Sequence, residues 1–159
     1  MKKKYEFTGE TMDFLGRVLH RIRSVRNFDT VRAGDLGGWI ETEENLSHTG
    51  DAWVSGNAWV SGNAWVGGDA WVSGNAQVSG NARVYGNADF SVIVGFGRFF
   101  RTTTFFRCQD GKVRTRCGCF YGDLKEFRAK VKETHGESKM AKEYLMIADL
   151  MEMHFAKER

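Results

Sequence analysis

The sequence predicts a mainly β protein: a short parallel β-solenoid, preceded by an N-terminal strand segment and followed by a small α+β cap of one hairpin and two helices. Three observations carry this expectation. The 159-residue chain holds 19 glycines and no proline, and eight of the glycines, at 50, 56, 62, 67, 68, 74, 80 and 86, crowd into one stretch. From Gly50 that stretch reads GDAWVS GNAWVS GNAWVG GDAWVS GNAQVS GNARVY, with a partial seventh unit GNADF. After Phe90 the period of six ends, and a hairpin signal and two amphipathic segments take over. The expected units are 1–30 for the N-terminal strands, 31–94 for the repeat and 95–159 for the C-terminal subdomain.

Composition narrows the class. A chain without proline is neither collagen-like nor a proline-rich linker, and 42% hydrophobic residues, with 13% aromatic, supply a core. The net charge of +3 is too small to argue for nucleic acid by itself, although such a partner stays open. No apolar run approaches a membrane span, and the basic start lacks the apolar stretch of a secretion signal. Three cysteines, an odd set within one segment, suit reduced thiols rather than a disulfide framework. The expectation is a cytoplasmic protein that does not engage membranes.

Within each hexad an Ala and a Val flank one variable residue. On an extended strand the two small residues point one way and the residue between them points the other. Ala and Val fit a narrow interior, so Trp53, Trp59, Trp65 and Trp71 are expected to face outward. Gly-Asn and Gly-Asp mark the corners, where glycine and asparagine accept left-handed backbone. Three hexads per coil would stack residues eighteen apart: Trp53 on Trp71, Trp59 on Gln77, Trp65 on Arg83. Outward indoles leave a few hundred Å² of apolar surface, which usually marks a contact. Trp53, Trp59, Trp65, Trp71 and Arg83 are therefore the candidate interface, either for a homo-oligomer, a trimer by preference, or for the chain's own terminal segments. The hexad resembles the repeat of left-handed parallel β-helices, and both the handedness and the three hexads per coil are what that resemblance implies.

The flanks read less regularly. Arg17 to Arg23 alternates as a strand and is expected to pair with Tyr5 to Thr8. Ile40 and Leu46, six apart and in phase with the alanine column at Ala52, suggest an imperfect first coil that closes the array. Gly34 to Gly38 lacks the lysine and following helix of a phosphate loop. Asp110-Gly111 signals a two-residue hairpin. That turn would set Cys108 opposite Val113 and Thr104 opposite Cys117, gathering Phe105, Arg107, Arg114 and Arg116 on one face as a candidate site for a phosphate, a nucleotide or a nucleic-acid strand. Asp123 with Glu126, and then Ser138, start two helices. The second carries an apolar stripe of Met140, Tyr144, Ile147, Ala148, Met151 and Phe155 expected to be core.

Catalytic and metal chemistry find little support. Cys108, Cys117 and Cys119 with His135 do not have zinc-site spacing, so no metal is expected. The repeat contains no histidine, and His48 at its entrance is the one weak candidate for the general base of an acyltransferase. No nucleophile motif appears, and no cofactor is expected. The whole layout, from KKKYEFTGE through AGDLGGWIE, NLSH and the Trp/Val hexads to TTTFFRC, CGCFYG and AKEYLMIADLMEMHF, resembles hexapeptide-repeat proteins of phages and prophages of Firmicutes. That resemblance implies an infected bacterial cell as the setting. It also implies a binding role, with a host defence protein or a nucleotide second messenger as partner; a virion or structural interaction module is the further alternative.

Overall fold

A computed structural model describes residues 2–156. A long hairpin comes first, β1 (Tyr5–Phe14) and β2 (Arg17–Ser24), with Tyr5 opposite Ser24 and Phe14 opposite Arg17. It runs well past the expected Thr8. β3 (Leu36–Ile40) pairs antiparallel with β2. Then come six two-residue strands: β4 (Trp53–Val54), β5 (Trp59–Val60), β6 (Trp65–Val66), β7 (Trp71–Val72), β8 (Gln77–Val78) and β9 (Arg83–Val84).

The hexads stack in threes, as the resemblance to β-helix repeats implies. β4 lies parallel to β7, β5 to β8 and β6 to β9, with Trp53 beside Trp71, Trp59 beside Gln77 and Trp65 beside Arg83. Each partner is eighteen residues on, so three hexads complete one coil. The corner glycines 50, 56, 62, 68, 74 and 80 sit at φ between +62° and +72°, the left-handed region that a side chain resists. The interior is the Ala and Val columns: Ala52, Val54, Ala58, Val60, Val66, Ala70, Val72, Ala76, Val78, Ala82 and Val84 are all fully buried.

The first coil is imperfect in a way the spacing did not give. Ile40 aligns with Val60 and Leu46 with Val66, so both stand in the valine column and not in the alanine column. Between Leu46 and Val54 the chain spends eight residues where six is the rule. The widened corner holds His48, whose ring stacks on Tyr5 at 4.1 Å. Gly37 and Gly38 serve packing: a Cβ on Gly37 would meet Ile22 and Trp53 at 2.7 Å, and one on Gly38 would meet the Ala58 carbonyl at 2.5 Å.

The C-terminal unit is a four-stranded antiparallel sheet, β10 (Phe90–Phe96), β11 (Arg101–Arg107), β12 (Val113–Cys117) and β13 (Phe120–Asp123), with α1 (Leu124–His135) and α2 (Lys139–Phe155). Both helices start as their caps dictate. Asp123 accepts from the Glu126 N–H while the Glu126 side chain accepts from the Asp123 N–H, and Ser138 accepts from the Ala141 N–H. Ala141, Tyr144, Ala148, Met151 and Phe155 are the buried stripe of α2, joined by Phe105, Phe127 and Val131; Met140 is only half-buried. Among the described residues no helix is long and apolar enough to cross a membrane.

Candidate functional site

The two ends of the hexad array are closed by opposite chemistry. Carbonyls facing the first end need donors, and they receive them. Lys4 donates its ammonium to the Gly50 and Ala52 carbonyls. The Trp39 N–H serves the Ala58 carbonyl, and the Asn45 amide donates to those of Gly62 and Ala64. Asn45 is fully buried and its carbonyl oxygen also accepts from the Glu41 and Thr42 N–H groups, so one side chain satisfies four backbone groups. At the other end, N–H groups facing outward need acceptors. Trp71 donates to Asn87 Oδ1 and Gln77 to Thr104 Oγ1. An unpaired strand edge recruits another chain, and here both edges carry partners from the same chain.

With the ends closed, the lateral faces remain, and the four tryptophans diverge on them. Trp53 is 2% exposed, under Tyr5 and Phe28 at 6.5 and 5.3 Å. Trp59 is 4% exposed, beneath Phe14 at 4.7 Å. These two do not present the outward surface the period suggested. The N-terminal segment covers them, because a ring lying on a solenoid face next to an apolar strand gains more by that burial than by exposure. Trp71 is half-buried, its indole N–H donating to Ser55 Oγ one coil away at 3.0 Å.

Trp65 is different. Half-buried like Trp71, it pairs at 4.9 Å with a ring that is itself open, Tyr85, which is 59% exposed. The irregular hexad GNAWVG explains the pose. A Cβ on Gly67 would fall 2.0 Å from the indole, so the ring folds over the backbone only because the usual serine is missing there. Arg83, next to Trp65 in the ladder, donates to the Asn63 and Ala82 carbonyls at 2.7 and 3.1 Å, which ties its guanidinium to the backbone.

The expected cluster of Phe105, Arg107, Arg114 and Arg116 does not assemble. The turn is Gln109-Asp110-Gly111, three residues long, with Cys108 and Lys112 bonded across it and Gly111 at φ +82°. Arg107 therefore lies opposite Val113 and Phe106 opposite Arg114. One residue of slip moves every side chain on one strand to the other face. Phe105 and Arg107 turn toward the helices; Phe105 is fully buried with its ring edge-on to Phe127, and Arg107 pairs with Asp89 at 3.2 Å and lies over Phe155. Arg114 and Arg116 turn toward the repeat. Arg114 grips the Asp110 carboxylate through both terminal nitrogens, which holds that carboxyl well below its usual range. Arg116 donates to Ser79 Oγ and stacks over Tyr121; burial lowers its affinity for its proton.

His48 has both ring nitrogens engaged. Nδ1 accepts from the Lys4 backbone N–H at 3.0 Å, and Nε2 faces the Glu43 carboxylate at 3.2 Å. A ring whose bare nitrogen already accepts a backbone proton has no lone pair for a substrate. Cys108 is buried, which raises its thiol pKa, whereas Cys117 is half-buried and Cys119 exposed. Among the described residues no three His, Cys, Asp or Glu side chains are placed to hold a metal.

Sequence comparison found no significant match among curated proteins. The family model described as YdcK beta solenoid repeat matches residues 52–68 and 76–88, so the stacked hexads are similar to a β-solenoid repeat.

Proposed function

We propose that this chain is a non-enzymatic binding protein whose repeat, a left-handed coil as the hexad resemblance implies, is the scaffold for lateral self-association, with three copies as the favoured state. The observation that supports this reading is the Trp65 and Tyr85 pair. It puts an exposed ring, Tyr85, on the repeat beside a half-buried tryptophan, while the chain closes both ladder ends, buries Trp53 and Trp59 and leaves Trp71 half-buried. Closed ends direct association sideways, and a half-buried tryptophan with an exposed tyrosine, next to Arg83 on the adjoining strand, has the composition of an interface centre. In the setting of phage and prophage proteins, the partner is a host defence protein or a nucleotide signal, and the role is inhibition of that defence.

The acyltransferase reading is weaker on this geometry, because His48 closes the widened corner with both nitrogens occupied. Light scattering of the wild type and of a Trp65→Ser/Tyr85→Ser double variant tests the assembly: a multimer that falls to single chains is expected, and an unchanged mass removes the face. Expression in bacteria carrying a panel of defence systems tests the role. Full restriction of phage in every strain would sink it.

A further inference from the structure

A second site lies in the C-terminal unit, lined by none of the hexad residues. Between the β10–β11 loop, the β12–β13 turn and the end of α1 there is a pocket of about 300 Å³, at the small end of the range that accepts small-molecule ligands. Its walls are rings. Phe96, Phe120, Phe127 and Tyr144 line it, with Phe127 at 6.0 Å from Phe120 and 5.8 Å edge-on from Tyr144. His135 stacks against Tyr144 at 5.8 Å, and its Nδ1 is buried without a hydrogen-bond partner.

The rim is cationic. Arg98, Arg101 and Lys130 line the opening, and no aspartate or glutamate does. Among the described residues neither Arg98 nor Arg101 pairs with a carboxylate; Arg101 rests over the Phe99 ring at 5.5 Å, and Lys130 has only a loose 3.7 Å contact to exposed Glu133. This contrasts with Arg107, Arg114 and Arg128, each of which holds an acidic partner. The loop that carries Arg98 and leads into Arg101 has left-handed backbone, with Phe100 at φ +53° and Gly97 at φ +81°. Bulky residues adopt that region only when their surroundings impose it. A Cβ on Gly97 would fall 2.4 Å from the Tyr144 hydroxyl, so the loop backbone presses directly on the pocket wall.

We infer that this pocket binds a small planar aromatic anion, its ring seated among Phe96, Phe120, Phe127 and Tyr144 and its phosphate or carboxylate held by Arg98 and Arg101. Ring walls favour flat ligands over flexible chains, and paired guanidinium groups recognise planar or tetrahedral oxyanions through charge-assisted bonds. A nucleoside monophosphate and an aryl carboxylate share this chemistry. The site is independent of the Trp65 face, so loss of self-association leaves it standing.

Calorimetry on the full-length chain separates the cases, with adenosine monophosphate, naphthoate, adenosine and octanoate as probes. At least one of the two aromatic anions is expected to saturate the protein. Adenosine, which lacks the anionic group, and octanoate, which keeps a carboxylate but lacks the ring, should each bind about tenfold weaker or worse, the factor that a lost charge-assisted bond or lost ring contacts are worth. Arg98→Gln and Arg101→Gln should each weaken the anion about tenfold, and Lys112→Gln, at the β11–β12 turn and outside the pocket lining, should not. Wild-type protein supplies a check that needs no variant to fold. Cys119 lines the same pocket and is exposed, so a bound anion should slow its alkylation by iodoacetamide. The inference is overturned if neither anion binds, if octanoate or adenosine binds as well, or if a bound anion leaves Cys119 alkylation unchanged.

Discussion

The molecule has two hydrophobic cores built on opposite plans. The repeat core is a stack of Ala and Val columns, narrow and sealed, and each coil is tied to the next by backbone bonds such as Trp53 N–H to the Ala70 carbonyl and Trp59 N–H to the Ala76 carbonyl. The cap core is a set of rings, Phe105, Phe127, Tyr144 and Phe155 with Met151, gathered from a sheet and two helices. Small, identical units tile without gaps. Large rings from unlike elements do not, and the gap they leave is the basic-rimmed pocket. The repeat therefore supplies a rigid scaffold, and the cap supplies a cavity.

The sharpest way to break this contrast is Phe127→Ala. Phe127 touches Phe105, Phe120 and Tyr144, so its removal should cost about 3–5 kcal/mol. Hydrogen exchange should rise in the cap and not in the ladders; an equal rise in both would show one cooperative core. Asn45→Leu is the corresponding change in the repeat. It strands four backbone groups at the closed first end and should cost about 3 kcal/mol in urea unfolding, with exchange rising first around Asn45.

Lys4 and Tyr5 give the first end a pH signature. Burial, and then the Arg26 charge, lower its pKa to about 8 from 10.5. Above pH 8 the folded chain has released this proton while the unfolded chain keeps it, so stability should rise between pH 8 and 10, by about 1 kcal/mol per pH unit. Tyr5 has the opposite sign: burial, then Glu43, raise its pKa above the ordinary 10.0, so stability should fall again above pH 10. Lys4→Met should flatten the rise below pH 10, and an unchanged slope would assign it to another group. The smallest expected effect is Gly67→Ser. The added Cβ would displace the Trp65 ring, which should shift its fluorescence to the red and destabilise by about 1 kcal/mol. A blue or absent shift would place the indole elsewhere.

Much of this was legible in the sequence where one residue type repeats one task. The period of six, with the three hexads per coil that the β-helix resemblance implies, foretold the eighteen-residue stacking, and the Asp123 and Ser138 caps foretold both helix starts. Legibility stopped where the outcome depends on what comes to lie on a surface. Periodicity gives the direction of Trp53 and Trp59 but not that Tyr5, Phe28 and Phe14 will cover them. Asp110-Gly111 marks a turn but does not distinguish a two-residue from a three-residue loop, and that single residue scattered the expected arginine cluster. The pocket had no sequence signal beyond Arg98 and Arg101 flanking Phe99 and Phe100, since its walls come from β10, β12, β13 and both helices.

The scaffold reading rests on lateral association through the face that the chain leaves open. Native mass spectrometry of the wild type beside Trp65→Ser/Tyr85→Ser tests it most directly. Three chains for the wild type and one for the variant are expected, whereas a single chain for both would contradict the account.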